Sequence, residues 1–109
     1  MKIIIKEDKR DRLAKRILTD EFSDISQETF GYKDSMGGNE RISFYNGDNI
    51  IMLYGVRTKS LYFCDDVTQP ILYFSYGRIE LKRIVSEWFS DTFGLPVTNS
   101  HYVRQELLN

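Results

Sequence analysis

Three sets of residues have the types and spacing that chemistry requires. Glu80 and Lys82, within "RIELKRIVSEW" at 78–88, have the E-x-K spacing of a metal-dependent nuclease strand. On a strand, both side chains would face one way and converge on a metal-bound water. Asp65 or Asp66 would add a further ligand. Cys64 and His101, the single cysteine and single histidine of the chain, have the types of a thiolate–imidazole pair. Lys9, Arg12 and Arg16 form a cationic stripe at helical spacing, suited to phosphates or to an acidic partner.

The flanking residues decide how far each set goes. Downstream of Glu80, Leu81, Ile84, Val85, Trp88, Phe89 and Phe93 recur with a period near that of a helix, whereas Glu80, Arg83, Glu87, Ser90 and Asp91 hold the opposite face. A helix over 78–93 is expected, with Gly94 as its stop and Pro96 beyond it. At about 100° per residue, Glu80 and Lys82 then diverge by about 200° and cannot share a metal. Cys64 reads as a half-buried strand cysteine that behaves as a small hydrophobe, and His101 as a solvated tail residue. Two such residues cannot supply a zinc site. The Asp65-Asp66 pair reads as a solvated strand end.

No G-x-x-x-x-G-K-[ST] or G-x-G-x-x-G occurs, so no nucleotide cofactor is expected. "FSDTFGLPVTNSHYVRQEL" has a turn glycine and an apolar anchor in the order of a helix-turn-helix, but the spacing is too long and Pro96 sits where the second helix would begin. Phe44, Tyr45, Tyr54, Tyr62 and Phe63 would suit a base-stacking platform. With no basic groove evident beside them, sheet packing is the expected use. Neither catalytic nor metal residues are therefore assigned. Lys9, Arg12 and Arg16 stand as the candidate partner-binding residues, weighed against their being the solvated face of a packed helix.

The elements that would position these residues are legible from period and punctuation. "KIIIK" at 2–6 is short and β-branched and reads as a strand. Asp8 would then cap a helix over 8–22, with Leu13, Ala14, Ile17 and Leu18 as its apolar stripe. Residues 23–39 show no period and are punctuated by Gly31, Gly37 and Gly38, which predicts a long flexible loop. From Arg41 the period becomes two. "RISFY", the "NG" at 46–47, "NIIMLY" and "SLYFC" predict a β-meander over about 41–64. For 67–76, Pro70 suits the first turn of a short helix with Thr68 or Asp66 as cap, although "ILYF" also fits a strand. The tail from Val97 admits a short strand or a helical turn.

With 109 residues, the chain is long enough for one domain with a single core. Its net charge of −1 argues against a general polyanion binder. The run "MKIII" is too short for a membrane span, and one free cysteine fits a reducing cytoplasm. An exposed meander edge would allow two copies to pair. The fold class expected is α+β: a three- to four-stranded, mainly antiparallel sheet with two main helices, about 8–22 and 78–93, packed on it.

Leu61, Tyr62 and Phe63, followed by Ile84, Val85, Trp88 and Phe89 (I-V-x-x-W-F) and by Phe93, Gly94 and Leu95 (F-G-L), resemble a pattern in small uncharacterised proteins of tailed bacteriophages. The matching residues are apolar, so the resemblance implies a shared core and a phage origin and carries no catalytic residue. The expectation is a non-enzymatic protein-interaction module, such as a phage accessory or host-takeover factor whose partner is another protein. A small nucleic-acid-binding regulator is the alternative, and a metal-dependent nuclease ranks below both.

Overall fold

The computed structural model describes residues 2–32 and 39–109. Five strands form one sheet in the order of the chain: β1 (Ser26–Tyr32), β2 (Asn39–Asn46), β3 (Asn49–Gly55), β4 (Ser60–Phe63) and β5 (Asn99–Tyr102). The long helices are α1 (Lys2–Glu21) and α3 (Arg78–Phe93). Between β4 and α3 lie a short helix α2 (Asp65–Thr68) and a 3₁₀ helix (Gln69–Phe74), and a final turn, α4 (Gln105–Leu108), follows β5. The α+β class and the meander stand as expected.

The first four strands are antiparallel neighbours. Between β2 and β3, Gly47 takes φ 66° at the first loop position, a conformation that a two-residue hairpin turn needs and glycine supplies without strain. β5 instead runs parallel to β4. A parallel pair requires a crossover, which α2, the 3₁₀ helix and α3 supply.

Alternation places Phe44, Met52, Phe63 and Tyr102 in one row on one side of the sheet, next to Ile42, Tyr54, Leu61 and Ser100. That side receives α3. Phe89 lies edge-on to Phe44 at 5.1 Å and tilted against Tyr54 at 5.4 Å. Phe93 closes on Phe44 at 4.7 Å. α1 packs outside α3 through Ala14, Leu18 and Phe22, all buried, with Phe22 5.9 Å from Trp88. The Trp88 indole N–H donates to Thr19 Oγ1 at 3.2 Å, so the largest buried side chain leaves no unpaired donor.

Four expectations need correction. Residues 2–6 are not a strand but the first turns of α1, and Asp8 lies inside that helix instead of capping it. No Gly or Pro interrupts residues 2–8. A nucleated helix therefore propagates through them at low cost, whereas a strand would have needed a sheet neighbour. Leu13, placed in the buried stripe, is 49% exposed; Ala14 and Leu18 carry the contact.

Within the expected loop 23–39, residues 26–32 form β1, paired with β2 from Ser26↔Tyr45 to Tyr32↔Asn39. Ser26, Gln27, Glu28 and Thr29 are all exposed, so this first part of the strand pairs with β2 through its main chain and carries no apolar side chain to betray it. Gly37 and Gly38 lie outside the described residues. Finally, the tail forms both a strand and a helical turn. The expected helix around Pro70 is present, as α2 from Asp65 and the 3₁₀ helix that ends at Phe74; Ser75 and Tyr76 lie beyond it.

Candidate interaction face

The sequence-selected residues scatter over the fold. Lys9, Arg12 and Arg16 are exposed on α1. Their neighbours on the α1–α3 seam are committed to ion pairs. Lys15 Nζ meets Glu87 at 2.8 Å, Arg83 meets Asp11 at 3.2 Å and Glu87 at 3.4 Å, and Arg10 meets Glu80 at 3.4 Å. Arg10 also lies over the Tyr76 ring, 4.7 Å from its centroid. The Tyr76 hydroxyl donates to Asp11 at 2.9 Å. Burial, then this hydrogen bond and the Asp11 charge, push Tyr76 up to about 12. A cleft here is lined by Asp11, Arg12, Lys15, Arg83 and Glu87. Its charges of both signs largely cancel. This seam fastens two helices, and Lys9, Arg12 and Arg16 border it.

Glu80 and Lys82 lie on α3, as the helical period predicts, and not on a strand. One Glu80 oxygen accepts the Gly77 N–H at 3.3 Å and the other faces Arg10, so the carboxylate serves the helix start. No group of three or more His, Cys, Asp or Glu side chains is placed to hold a metal among the described residues. Instead of a second helix, α3 is followed by β5, which removes the helix-turn-helix reading.

Cys64 is 1% exposed, and burial raises its thiol above the ordinary value. His101 stacks on Tyr62 at 4.9 Å and 19°, and its Nε2 pairs with Asn99 Oδ1 at 2.9 Å. The two are not a nucleophile and its base. Native protein is expected to react with a thiol reagent at least tenfold more slowly than the urea-unfolded chain, a comparison that 5,5′-dithiobis(2-nitrobenzoate) absorbance measures directly. Asp65 is likewise structural: it accepts the Tyr102 hydroxyl, which also shares a 2.8 Å hydrogen bond with Thr68. Phe44, Tyr54 and Phe63 are buried core residues, so those aromatics form no platform.

The second side of the sheet carries a groove that sequence reasoning did not find. Alternation turns Arg41, Leu53 and Tyr62 to this side, away from α3. The chain after β5 folds back over it. Val103, Leu107 and Leu108 wall a cleft of about 420 Å³ whose remaining lining is Arg41, Leu53, Gly55, Thr58 and Tyr62.

The fold-back is held at its end by Asn109. β4 pairs with β3 only as far as Phe63↔Met52, so the outward peptide groups of Ile50 have no strand beside them. Asn109 Oδ1 accepts the Ile50 N–H at 2.9 Å and Asn109 Nδ2 donates to the Ile50 carbonyl at 3.0 Å. One carboxamide thus stands in for a neighbouring strand. Asn109→Ala is expected to speed hydrogen exchange at the Ile50 amide by about tenfold or more, as read by NMR, with the global melting temperature lowered only slightly.

The groove's lining mixes apolar and cationic side chains. Leu107 is 75% exposed at its mouth, although Leu108 beside it is 8% exposed. The exposed Arg41 side chain makes no hydrogen bond or ion pair among the described residues. Of the charged residues at or next to the lining positions, Arg41, Arg57, Lys59 and Arg104 are cationic and Glu40 and Glu106 anionic. Arg41 is the charged residue of the described lining, and cations outnumber anions four to two at and beside it in sequence, on a chain whose net charge is −1. Its signal in the sequence was faint: Leu107-Leu108 in a polar tail.

No helix among the described residues is long and apolar enough to cross a membrane. No family model, curated protein or solved structure matches the chain.

Proposed function

We propose that this chain is a non-enzymatic protein-interaction module, of the kind a tailed phage deploys as an accessory or host-takeover factor in the reducing cytoplasm. The observation that carries the reading is the groove on the second side of the sheet. It combines an exposed leucine, an apolar floor and an arginine without a partner among the described residues. Exposed apolar side chains beside unpaired cations are what a protein surface offers to a partner. The Lys9, Arg12 and Arg16 stripe gives the nucleic-acid reading less support, because Asp11, Glu80 and Glu87 share that side of the molecule.

The test is affinity capture from a bacterial lysate with the intact chain, with and without nuclease treatment, followed by mass spectrometry. One stoichiometric protein that survives nuclease and moderate salt is the expected result. A haul that disappears with nuclease, and whose binding falls steeply with salt, would replace this reading with the nucleic-acid one.

A further inference from the structure

We infer that the groove's ligand is an acidic peptide segment bearing one or two bulky apolar side chains, an inference that rests on the protein-binding reading above. The apolar side chains would seat against Leu53, Tyr62, Val103 and Leu107, and a flanking carboxylate would pair with Arg41.

Size and shape favour a peptide. A cleft of about 420 Å³ lies near the lower end of the range of about 300–1,000 Å³ in which ligands are held. It is built on the flat of a sheet and bounded on one side by a single turn of helix. An extended segment can lay side chains into such a cleft and continue past it, whereas a long acyl chain would remain largely in water.

Charge decides the rest. A guanidinium without a carboxylate offers a planar fork that matches one. Beside the lining in sequence, the cations Arg57, Lys59 and Arg104 outnumber the anions Glu40 and Glu106, which favours an anionic partner. A nucleic-acid strand would need an open aromatic face for its bases. Tyr62, the one aromatic among the described lining residues, already stacks on His101 at 4.9 Å.

The experiment titrates the full chain with fluorescein-labelled, capped octapeptides. One library carries two Leu or Phe anchors with Asp or Glu at all other positions. A matched library carries Lys or Arg instead. Arg41→Glu and Leu107→Asp are the variants. Both positions are exposed, so unchanged circular dichroism and melting temperature are expected of each.

Anisotropy should identify acidic binders in the micromolar range. Each variant should weaken them by about tenfold or more, and the basic library should not bind. The inference is overturned if no acidic peptide binds below about 1 mM, if the basic library binds equally well, or if neither substitution matters. The two readings also fail separately. A lysate partner held equally by wild type and by the double variant would overturn the groove assignment alone. Silence from the peptides together with no captured protein would remove both.

Discussion

Phe89→Ala is expected to be the most damaging single substitution, lowering the free energy of unfolding by about 3–5 kcal/mol. Phe89 is 0% exposed. Its ring is the joint between layers: it meets Phe44 and Tyr54 of the sheet and Phe93 of its own helix, at 5.1, 5.4 and 5.1 Å. Truncation removes the transfer term for the ring and leaves a cavity that rigid strands cannot close. The loss is a large share of the roughly 5–15 kcal/mol available to a small domain. Urea denaturation followed by Trp88 fluorescence measures it, with Phe93→Ala, at a partly buried site, as the milder comparison. Equal, small shifts for both variants would mean that Phe89 is not the joint described here.

Alkali is expected to unlock the α1–α3 seam. Tyr76 is 8% exposed, and its hydroxyl donates to Asp11. Ionising it would bury a phenolate and place it against a carboxylate; burial first, then the hydrogen bond to Asp11 and the Asp11 charge, push its pKa from 10 to about 12. The folded chain thus holds this proton more tightly than the unfolded chain does. The corresponding stability is complete below pH 10 and is lost as pH rises from about 10 to about 12. Two pKa units correspond to about 2–3 kcal/mol at most. Lysines and the other tyrosines titrate in the same window, so the informative quantity is the difference between wild type and Tyr76→Phe. The variant should lose about 0.5–1.5 kcal/mol at neutral pH through the missing hydrogen bond, yet show a flatter decline between pH 10 and 12. Parallel profiles would show that Tyr76 is not the group concerned.

The ion pairs of the same seam contribute less. Arg83 and Glu87 side chains are 44% and 43% exposed, so water and salt screen them, and each pair adds at most about 1 kcal/mol. They set which face of α3 meets α1 more than they stabilise the domain.

Most of the architecture was legible because it rests on local pattern. The period of two over residues 41–64, the Asn-Gly turn and the helical period over 78–93 each reflect one buried face. A buried face writes itself into the sequence at the repeat of its element. The same reasoning removed the E-x-K site: the residues downstream of Glu80 required a helix, and α3 spans them. The packing role of Cys64 was also readable, although it was expected half-buried and is fully buried.

What only the tertiary structure decided has a common physical cause: these features depend on main-chain groups or on residues distant in sequence. Ser26 to Thr29 of β1 carry no apolar side chain, and β2 pairs with them by peptide hydrogen bonds that are blind to side-chain type. Residues 2–6 became helix because helix propagation outweighs the modest β preference of three isoleucines when no strand neighbour is at hand. The parallel placement of β5 beside β4 depends on where α3 returns the chain, which no local pattern encodes. The groove depends on the same return. Arg41, Leu53 and Tyr62 share a side of the sheet through strand register. Val103, Leu107 and Leu108 reach them because the chain after β5 is tied back at several points: the Val103 N–H donates to the Phe63 carbonyl, Gln105 to Asp66, and the Asn109 carboxamide pairs with the Ile50 peptide groups. Composition and period therefore determined the layers and the core, whereas register and chain return determined the surface that remains for a partner.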